Sequence, residues 1–297
     1  MISKTAMITI CGRPNVGKST LTNALAGEKI AIVSNKPQTT RNRITAVCQR
    51  GETQFVFLDT PGFHKPRTRL GDYMVNVVRQ SVADVDAVVL VVEPVASLGP
   101  QERELIASIK AANCPAVLAI NKLDTVEPEK LLAVIALYSE AYAFNAIVPI
   151  SAKTGDGVEE LLKELDKFAV ESPALFPEGV TTDQPEKQVC AELIREKLLL
   201  NLEREVPHGT AVEITRFSER DDGIIDLEAT IYCEKPSHKG IIIGKNGQML
   251  KKISTMARED CEKFMGTKVY LQTWVKVKEN WRDSQYLIGN FGYTNDN

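Results

Sequence analysis

The stretch GRPNVGKST, residues 12–20, decides the class of fold because it lies between the apolar run AMITIC and an amphipathic stretch. Gly12, Gly17, Lys18 and Ser19 match the pattern G-x-x-x-x-G-K-[ST] at a strand-to-helix junction. Glycines let backbone N–H groups turn toward phosphate oxygens, and the start of the helix adds a partial positive charge. We therefore expect Lys18 to reach the β and γ phosphates of a nucleotide and Ser19 to offer its hydroxyl to Mg²⁺.

The composition is that of a globular protein with about two domains. The chain has 297 residues, of which 43% are hydrophobic and 25% are charged. No apolar run approaches the roughly 18 residues of a membrane-spanning helix. The N-terminus lacks the apolar core of a signal peptide, so we expect a cytoplasmic protein. Its six cysteines are scattered singly, which predicts reduced and mostly buried thiols rather than a zinc or disulfide framework.

Two domains and a linker are predicted from the order of apolar runs. Residues 1–172 alternate short β-branched runs with helical patterns, which predicts an α/β P-loop domain whose mostly parallel sheet has helices on both faces. The segment TAVCQRGETQFVFLD, residues 45–59, predicts a hairpin and hence one antiparallel edge strand. Residues 173–187 hold three prolines and suit a linker. Residues 188–297 read as helix, strand, strand, helix, helix and strand, a small α+β domain.

A second motif, DTPG at residues 59–62, closes the apolar run TQFVFLD. Its aspartate therefore emerges at the carboxyl edge of the sheet, where ligands of open α/β sheets bind. Asp59 can hold Mg²⁺ through water, and Gly62 can present its backbone N–H to a γ-phosphate. By itself DTPG is a common turn sequence, so its meaning depends on the other motifs.

Two more motifs, NKLD at residues 121–124 and SAK at residues 151–153, also follow apolar runs. Asp124 can accept two hydrogen bonds from guanine that adenine cannot supply, and such a match discriminates strongly between bases. The Ala152 N–H can donate to the guanine oxygen. The predicted nucleotide site comprises Gly12, Arg13, Pro14, Asn15, Val16, Gly17, Lys18, Ser19, Thr20, Asp59, Thr60, Pro61, Gly62, Phe63, Asn121, Lys122, Asp124, Ser151, Ala152 and Lys153.

The order of these motifs resembles that of the translation-factor-like GTPases. In that group a threonine of the first switch closes on Mg²⁺, and the resemblance favours Thr40 for this role, with Thr39 as the alternative. Phe63 stands where Ras-like enzymes carry the glutamine that orients the attacking water. The placement of Asn15 is similar to that in potassium-activated GTPases, which implies a K⁺ ligand. His64 is expected to be a solvated switch residue rather than a base. The catalytic candidates are Lys18, Thr40 and Gly62.

The segment GKNG, residues 244–247, is identified as the G-x-x-G loop of a KH domain of the prokaryotic type, which binds single-stranded RNA. Between Lys235 and Lys278 there are ten basic residues against three acidic ones, although the whole chain carries a net charge of −3. The alternative is a helix–turn–helix with a solvated basic face. Trp274 and Trp281 are expected to pack in the core, with base stacking as the alternative. The predicted RNA-binding residues are Lys239, Ile243, Gly244, Lys245, Asn246, Gly247, Lys251 and Lys252.

The pairing of such a GTPase domain with a C-terminal KH domain resembles the Era family of bacterial GTPases over nearly the whole chain. This resemblance implies a GTP-hydrolysing switch that uses Mg²⁺, binds the 3′ end of small-subunit ribosomal RNA and acts on the pre-30S particle. It also implies some association with the inner face of the cell membrane; we expect a monomer that binds no DNA. The alternative is a guanine-nucleotide-gated RNA-binding protein whose hydrolysis is incidental.

Overall fold

The chain forms two compact units in the computed structural model, which describes residues 2–63, 66, 68–82 and 85–293. Among the described residues, the first unit takes in those up to 31, residues 40–66 and residues 71–183. The second takes in residues 32–39, the described part of 67–70 and residues from 184 onward.

The first unit is built on a seven-stranded sheet. Its strands are β1 (Lys4–Cys11), β2 (Ile44–Arg50), β3 (Thr53–Asp59), β4 (Ala87–Val92), β5 (Ala116–Ile120), β6 (Ala146–Pro149) and the short β7 (Val170–Glu171). They lie in the order β2-β3-β1-β4-β5-β6, with β7 pairing antiparallel to the start of β1. From β3 to β6 all neighbours are parallel, and β2 pairs antiparallel with β3. The predicted sheet and its hairpin edge are both confirmed.

Helices cover both faces of this sheet, as the sequence predicts. They are α1 (Lys18–Ala26), α2 (Arg69–Ser81), α3 (Pro100–Ala112), α4 (Pro128–Ala141) and α5 (Val158–Asp166). Strand β4 shows why two layers form, because its side chains alternate: Val89 and Val91 pack into the core beside α1 and α5, whereas Val88 and Leu90 pack into the core beneath α2, α3 and α4. A strand that is apolar at every position requires a covering layer on each side.

The segment that follows β7, which the sequence predicts to be a linker, is hydrogen-bonded to the sheet. The Gln54 side chain accepts from the Leu175 and Phe176 N–H groups at 2.8 and 2.9 Å and donates to the Phe176 carbonyl at 2.8 Å. Farther along, the Val47 N–H donates to the Thr181 carbonyl at 2.7 Å. Its prolines disfavour regular secondary structure, and Gln54 of β3 and the backbone of the edge strand β2 bond to some of its backbone groups.

The second unit has the predicted order of elements as far as its last strand, and a short helix that the sequence analysis did not predict follows that strand. Its elements are α6 (Glu186–Asn201), β8 (Ala211–Glu219), β9 (Ile225–Cys233), α7 (Pro236–Ile243), α8 (Gln248–Met265), β10 (Val269–Val277) and α9 (Gln285–Asn290). The three strands form a sheet in the order β10-β9-β8, with β9 antiparallel to β8 and parallel to β10. Apolar residues of α6, α7 and α8 cover one face of this sheet and form the core.

Residues 32–39 join the second unit because polar groups of α6 hold their backbone. The Val33 N–H donates to Glu196 Oε1 at 2.8 Å, and the fully buried Arg195 donates to the carbonyl of Thr39. The Lys36 ammonium donates to the carbonyl of Leu199, in the last turn of α6, and to that of Leu202, directly after the helix. A cation on the free carbonyls of a helix end is favourable because these groups have no partner inside the helix.

All six cysteines are free thiols, five of them buried, as the sequence predicts. Within the described ranges no helix is both long and apolar enough to cross a bilayer.

Candidate nucleotide-binding site and nucleic-acid interface

The predicted phosphate loop lies between the end of β1 at Cys11 and the start of α1 at Lys18. Gly17 has φ 98° and ψ 24°, a left-handed conformation that favours glycine. A Cβ at this position would lie 2.2 Å from the Asn121 Nδ2 atom, so a larger residue would push the two segments apart. Asn15 also takes a left-handed conformation, with φ 67°, and lies exposed on the loop.

Lys18 places its charge inside the loop. The side chain is buried, and its ammonium donates to the carbonyls of Gly12 at 3.2 Å and Arg13 at 2.9 Å. Burial lowers the pKa of this lysine, while the nearby Asp59 carboxylate opposes that shift. Among the described residues this buried ammonium forms hydrogen bonds only to neutral carbonyls, so its charge is poorly compensated and favours an anionic ligand in the loop.

Three predicted metal ligands converge beside Lys18. Ser19 Oγ lies 2.8 Å from Thr40 Oγ1 and donates to Asp59 Oδ2 at 2.9 Å. Burial raises the pKa of Asp59 to about 6, against the lowering effects of the Lys18 charge and the Ser19 hydrogen bond. Its Oδ1 atom is buried with no hydrogen-bond partner among the described residues. Two hydroxyls and a carboxylate are the hard oxygen donors that Mg²⁺ prefers, so this set fits that ion.

The two threonines of the first switch have different neighbours. Thr40 is buried and lies against Ser19, as described above. Thr39 donates instead to the Lys36 carbonyl at 2.6 Å, and its Oγ1 lies 2.7 Å from Ser34 Oγ. The structure therefore brings Thr40, and not Thr39, to the other two candidate ligands.

Hydrogen bonds from Thr60 and from Phe63 hold the DTPG segment beside the end of β1 and the phosphate loop. Thr60 Oγ1 donates to the Ile10 carbonyl at 2.8 Å, and the Phe63 N–H donates to the Gly12 carbonyl at 3.2 Å. A Cβ on Gly62 would lie 2.8 Å from the Pro14 Cα, which shows how closely the two loops approach. The Phe63 ring is buried in the core beneath α2. His64 lies outside the described residues.

Asn121 joins three predicted motifs through its side chain. Its Nδ2 donates to the Val16 carbonyl at 2.8 Å, and its Oδ1 accepts from the Ala152 N–H at 2.9 Å. Ser151 Oγ donates to Asp124 Oδ1 at 2.8 Å, which orients that carboxylate, and Asp124 itself is exposed. The NKLD, SAK and phosphate-loop segments thus form one hydrogen-bonded group at the carboxyl edge of the sheet.

Two acidic residues of this rim are absent from the predicted site. Glu93 follows directly after β4, and its carboxylate pairs with the Lys122 ammonium and with Arg13 Nη2, the latter at 3.4 Å. Glu102, in the first turn of α3, is 1% exposed and pairs with Arg13 Nε. The signal for Glu93 was present in the sequence, because a carboxylate closes the buried run AVVLVVE at the same sheet edge as the four motifs.

The GKNG segment forms a tight turn between α7 and α8. Gly244 N–H donates to the Gly240 carbonyl at 2.9 Å, and Gly247 N–H donates to the Gly244 carbonyl at 3.2 Å. Gly244, Asn246 and Gly247 all have positive φ, at 71°, 51° and 75°. Added Cβ atoms would meet different surroundings: at Gly244 one would lie 2.7 Å from the Met249 Cβ, whereas at Gly247 nothing lies within 4 Å.

Exposed lysines surround this turn. Lys239 precedes it on α7, Lys245 lies within it, and Lys251 and Lys252 follow on α8. Within the described part of the chain these four ammonium groups form no ion pair. Exposed cations next to an exposed, glycine-containing backbone suit a phosphate chain as ligand.

The two tryptophans differ from each other. Trp281 is fully buried and its Nε1 donates to the Gly209 carbonyl at 2.9 Å, which confirms core packing. The same expectation is wrong for Trp274, which is 56% exposed. Its position on β10 puts it on the face of the sheet opposite to Val275, which packs in the core with the helices.

Comparison with known proteins places these features in one family. A family model described as 50S ribosome-binding GTPase matches residues 7–122, and a KH domain model matches residues 205–282. GTPase Era of Ruminiclostridium cellulolyticum is 51% identical over 100% of both chains. GTPase Era of Clostridioides difficile is 49% identical over 98% of both chains. This chain belongs to the Era family of GTPases.

Solved Era structures have the same fold over the whole chain. A variant of Aquifex aeolicus Era bound to GDP·AlF4⁻ has a TM-score of 0.94 and 37% identity, and the match covers 98% of this chain and 99% of that one. A structure of Era in complex with MgGDPNP and nucleotides 1506–1542 of 16S ribosomal RNA gives the same TM-score, identity and coverage. Both domains of the Era fold are therefore present here in the same order.

Proposed function

We propose that this protein is a GTP-hydrolysing switch that binds single-stranded RNA at the 3′ end of small-subunit ribosomal RNA and acts in assembly of the small subunit. The observation that carries the proposal is the hydrogen-bonded group of four guanine-nucleotide motifs at one sheet edge, in a chain that also holds a basic G-x-x-G turn. Era in complex with MgGDPNP and 16S ribosomal RNA supports both halves of this assignment.

Within the nucleotide site, we assign the phosphates to the loop of residues 12–20, with Lys18 on the β and γ phosphates and the Gly62 N–H on the γ-phosphate. Asp124 reads guanine through two accepted hydrogen bonds, and the Ala152 N–H donates to the guanine oxygen. Ser151 supports this reading because its hydroxyl holds one oxygen of the Asp124 carboxylate. Asn121 keeps the base-binding and phosphate-binding segments in register.

For Mg²⁺ we assign Ser19 and Thr40 as ligands and Asp59 as a ligand through water. The buried Oδ1 atom of Asp59 supports this assignment, because a carboxylate oxygen without a donor favours a cation. When bound, Mg²⁺ neutralises charge that develops on the phosphate oxygens during transfer. The contribution of the chain is to hold the three oxygen groups together before the ion arrives.

The nucleotide site lacks the glutamine that activates the attacking water in Ras-like enzymes. Phe63 cannot polarise water, and its ring is buried in the core. We therefore propose that basal hydrolysis is slow and that a monovalent cation such as K⁺, held by Asn15, or bound RNA completes the site. The exposed, left-handed position of Asn15 on the phosphate loop supports the first of these.

The RNA site is assigned to the turn of residues 244–247 with Ile243 and the lysines on either side. Its glycines let the phosphate chain approach the backbone. The ammonium groups of Lys239, Lys245, Lys251 and Lys252, which form no ion pair with any residue that the structure describes, neutralise it. The description of the matching GTPase family names the large (50S) ribosomal subunit, but that family model covers only residues 7–122. We assign the small subunit because the Era–16S complex matches 98% of the chain.

A cytoplasmic location, a monomeric state and some association with the inner face of the cell membrane complete the proposal. Composition and the family resemblance support these three statements.

The test is GTP turnover by the full-length protein, measured with and without K⁺ and with and without a single-stranded RNA that represents the 3′ end of small-subunit ribosomal RNA. We expect slow basal release of phosphate that K⁺ or the RNA raises at least tenfold. The alternative is a nucleotide-gated RNA-binding protein whose hydrolysis is incidental. The absence of the water-orienting glutamine at residue 63 favours this alternative. Nucleotide-dependent RNA binding with a turnover that neither addition changes would establish that alternative.

A further inference from the structure

Four charged side chains form a cluster on the rim of the nucleotide site: Arg13, Glu93, Glu102 and Lys122. Arg13 and Lys122 belong to two different nucleotide motifs, the phosphate loop and NKLD. Glu93 lies between them, with Oε1 on the Lys122 ammonium and Oε2 at 3.4 Å from Arg13 Nη2. A single carboxylate therefore connects the phosphate-binding and base-binding segments, independently of the Asn121 hydrogen bonds.

The burial of the cluster separates it from an ordinary surface ion pair. Arg13, Glu93 and Lys122 keep only 34%, 31% and 35% of their side-chain surface exposed. Glu102 is 1% exposed, and a Cβ on Gly99 would lie 2.7 Å from its Oε2, so the absence of a side chain at residue 99 leaves room for this carboxylate. Ion pairs between charges that are two-thirds buried are stronger than exposed ion pairs, whose median contribution to stability is close to zero.

Lys122 also has a backbone that needs support. Its φ of 66° and ψ of 36° are left-handed, which is uncommon for a residue with a long side chain. The Lys122 ammonium pairs with Glu93, while the Asn121 N–H donates to the Val92 carbonyl and the Leu123 N–H to the Ile150 carbonyl. Without the Glu93 carboxylate, Lys122 would lose the one ion pair that it forms among the described residues, whereas Arg13 would keep its pair with Glu102.

We propose that Glu93 is a positioning residue for guanine-nucleotide binding, which acts by holding Lys122 beside the phosphate loop. The proposal rests on the function assigned above and adds a residue outside the four motifs. Among the described residues, Glu93 forms ion pairs with the NKLD and phosphate-loop segments and with neither DTPG nor Thr40, so we expect the same effect on GDP and GTP. Uniform binding of this kind changes the KM for GTP and leaves kcat unchanged.

The first experiment compares full-length wild-type protein with Glu93→Gln, which keeps the shape of the side chain and removes its charge. We expect the Kd for a fluorescent GDP analogue and the KM for GTP to rise together by about three- to tenfold, with kcat within twofold of wild type. Glu93→Asp keeps the charge on a shorter stem and should restore part of the affinity. Equal affinity of Glu93→Gln and wild type, or a fall in kcat at unchanged KM, would overturn the proposal.

The matched control is Glu104→Gln. Glu104, in the first half of α3, also pairs with an arginine, at 3.2 Å from Arg79 Nη2, but both groups are more than half exposed and neither belongs to a nucleotide motif. Glu104→Gln should leave the Kd for the GDP analogue and the KM for GTP unchanged. Thermal unfolding without nucleotide must give the same midpoint for Glu93→Gln and wild type; a lower midpoint would make Glu93 a stabilising residue and contradict the proposal.

A second comparison tests the route of the effect. In a Lys122→Met background, Glu93→Gln should cause no further loss of affinity, because the group through which it acts is gone. Full additivity of the two changes would refute action through Lys122. If wild-type protein itself failed to bind the GDP analogue, the assigned function would fail before this inference was reached, so the two failures are distinguishable.

Discussion

At the nucleotide site, hydrogen bonds join residues that are far apart in the sequence, whereas at the GKNG turn the described backbone bonds are local. Asn121 reaches Val16 across 105 residues, while the Gly247 N–H reaches only back to Gly244. The first site is assembled by the sheet, which brings several strand ends to one edge. The second is assembled by one turn between two helices and left exposed, as a surface for a long flexible ligand requires.

This difference determines how each site should respond to substitution. A buried, interconnected site loses much when one group is removed, because the remaining partners are left unpaired. An exposed basic surface loses little affinity when one charge is removed, because each phosphate contact is screened by water and salt and several contacts contribute to binding. Substitutions in the two regions should therefore differ in size and in their dependence on salt.

The largest effect is expected for Lys18→Ala. This change removes the buried ammonium from the phosphate loop, and we expect turnover to fall by about a thousandfold, the scale of losing one main group that stabilises transferred charge. RNA affinity should stay within twofold of wild type. Phosphate release and RNA titration of the same preparation check this. Lys4→Ala, an exposed lysine at the opposite end of β1, is the control, and a matching loss there would mean that charge in general is responsible.

Next in size is the effect of Asp124→Asn. An amide at this position replaces an acceptor with a donor and leaves one hydrogen bond to guanine unmade, so we expect the affinity for GTP to fall by about a hundredfold. The affinity for XTP should rise, because xanthine carries a carbonyl where guanine carries an amine. Competition between the two nucleotides measures this ratio. If Asp124→Asn still preferred GTP to XTP as the wild type does, Asp124 would not recognise the base.

In the second region the largest effect should come from Gly247→Asp. The added Cβ meets no protein atom within 4 Å and aspartate tolerates a left-handed backbone, so the domain should fold. A negative charge beside the RNA backbone should weaken RNA binding about thirtyfold and leave basal GTP turnover near wild type.

The matched control for that change is Gly266→Asp. Gly266 ends α8, has φ 67° and also has open space at its Cβ position, but it lies 19 residues beyond Gly247 at the other end of the helix. It should leave RNA affinity unchanged. If Gly247→Asp bound RNA as well as this control, the GKNG turn would be only a helix connector.

The smallest effect is expected for Lys252→Gln on the exposed face of α8. Removal of one phosphate contact should lower RNA affinity about threefold and reduce the slope of log K against log salt by about 1. Lys263→Gln, at the opposite end of the same helix, controls for the loss of one exposed lysine. A loss at Lys252 as large as that at Gly247 would show that this surface is as interdependent as the nucleotide site.

Local sequence was sufficient to predict the sheet, its hairpin edge and the four nucleotide motifs. Apolar runs of β-branched residues indicate buried strands whatever their neighbours are, and the glycines, Lys18 and Ser19 lie within eight residues of one another. The GKNG turn and its flanking lysines were found for the same reason. In each of these cases, the residues that form the feature are close together in the chain.

Pairings between distant segments were decided only by the tertiary structure. The contact of Glu93 with Arg13 and Lys122 depends on the ends of three strands meeting at one edge, which no spacing in the sequence reveals. Trp274 and Trp281 both lie in the last domain, yet Trp274 is exposed and Trp281 is buried. Trp274 lies on the face of β10 opposite to Val275 and the helices, whereas Trp281 follows β10 and donates to the distant Gly209 carbonyl. The proline-containing segment after β7 is attached rather than free because Gln54 supplies its hydrogen bonds, 121 residues away. Local patterns determine which elements form, whereas the partners of a side chain depend on how those elements pack.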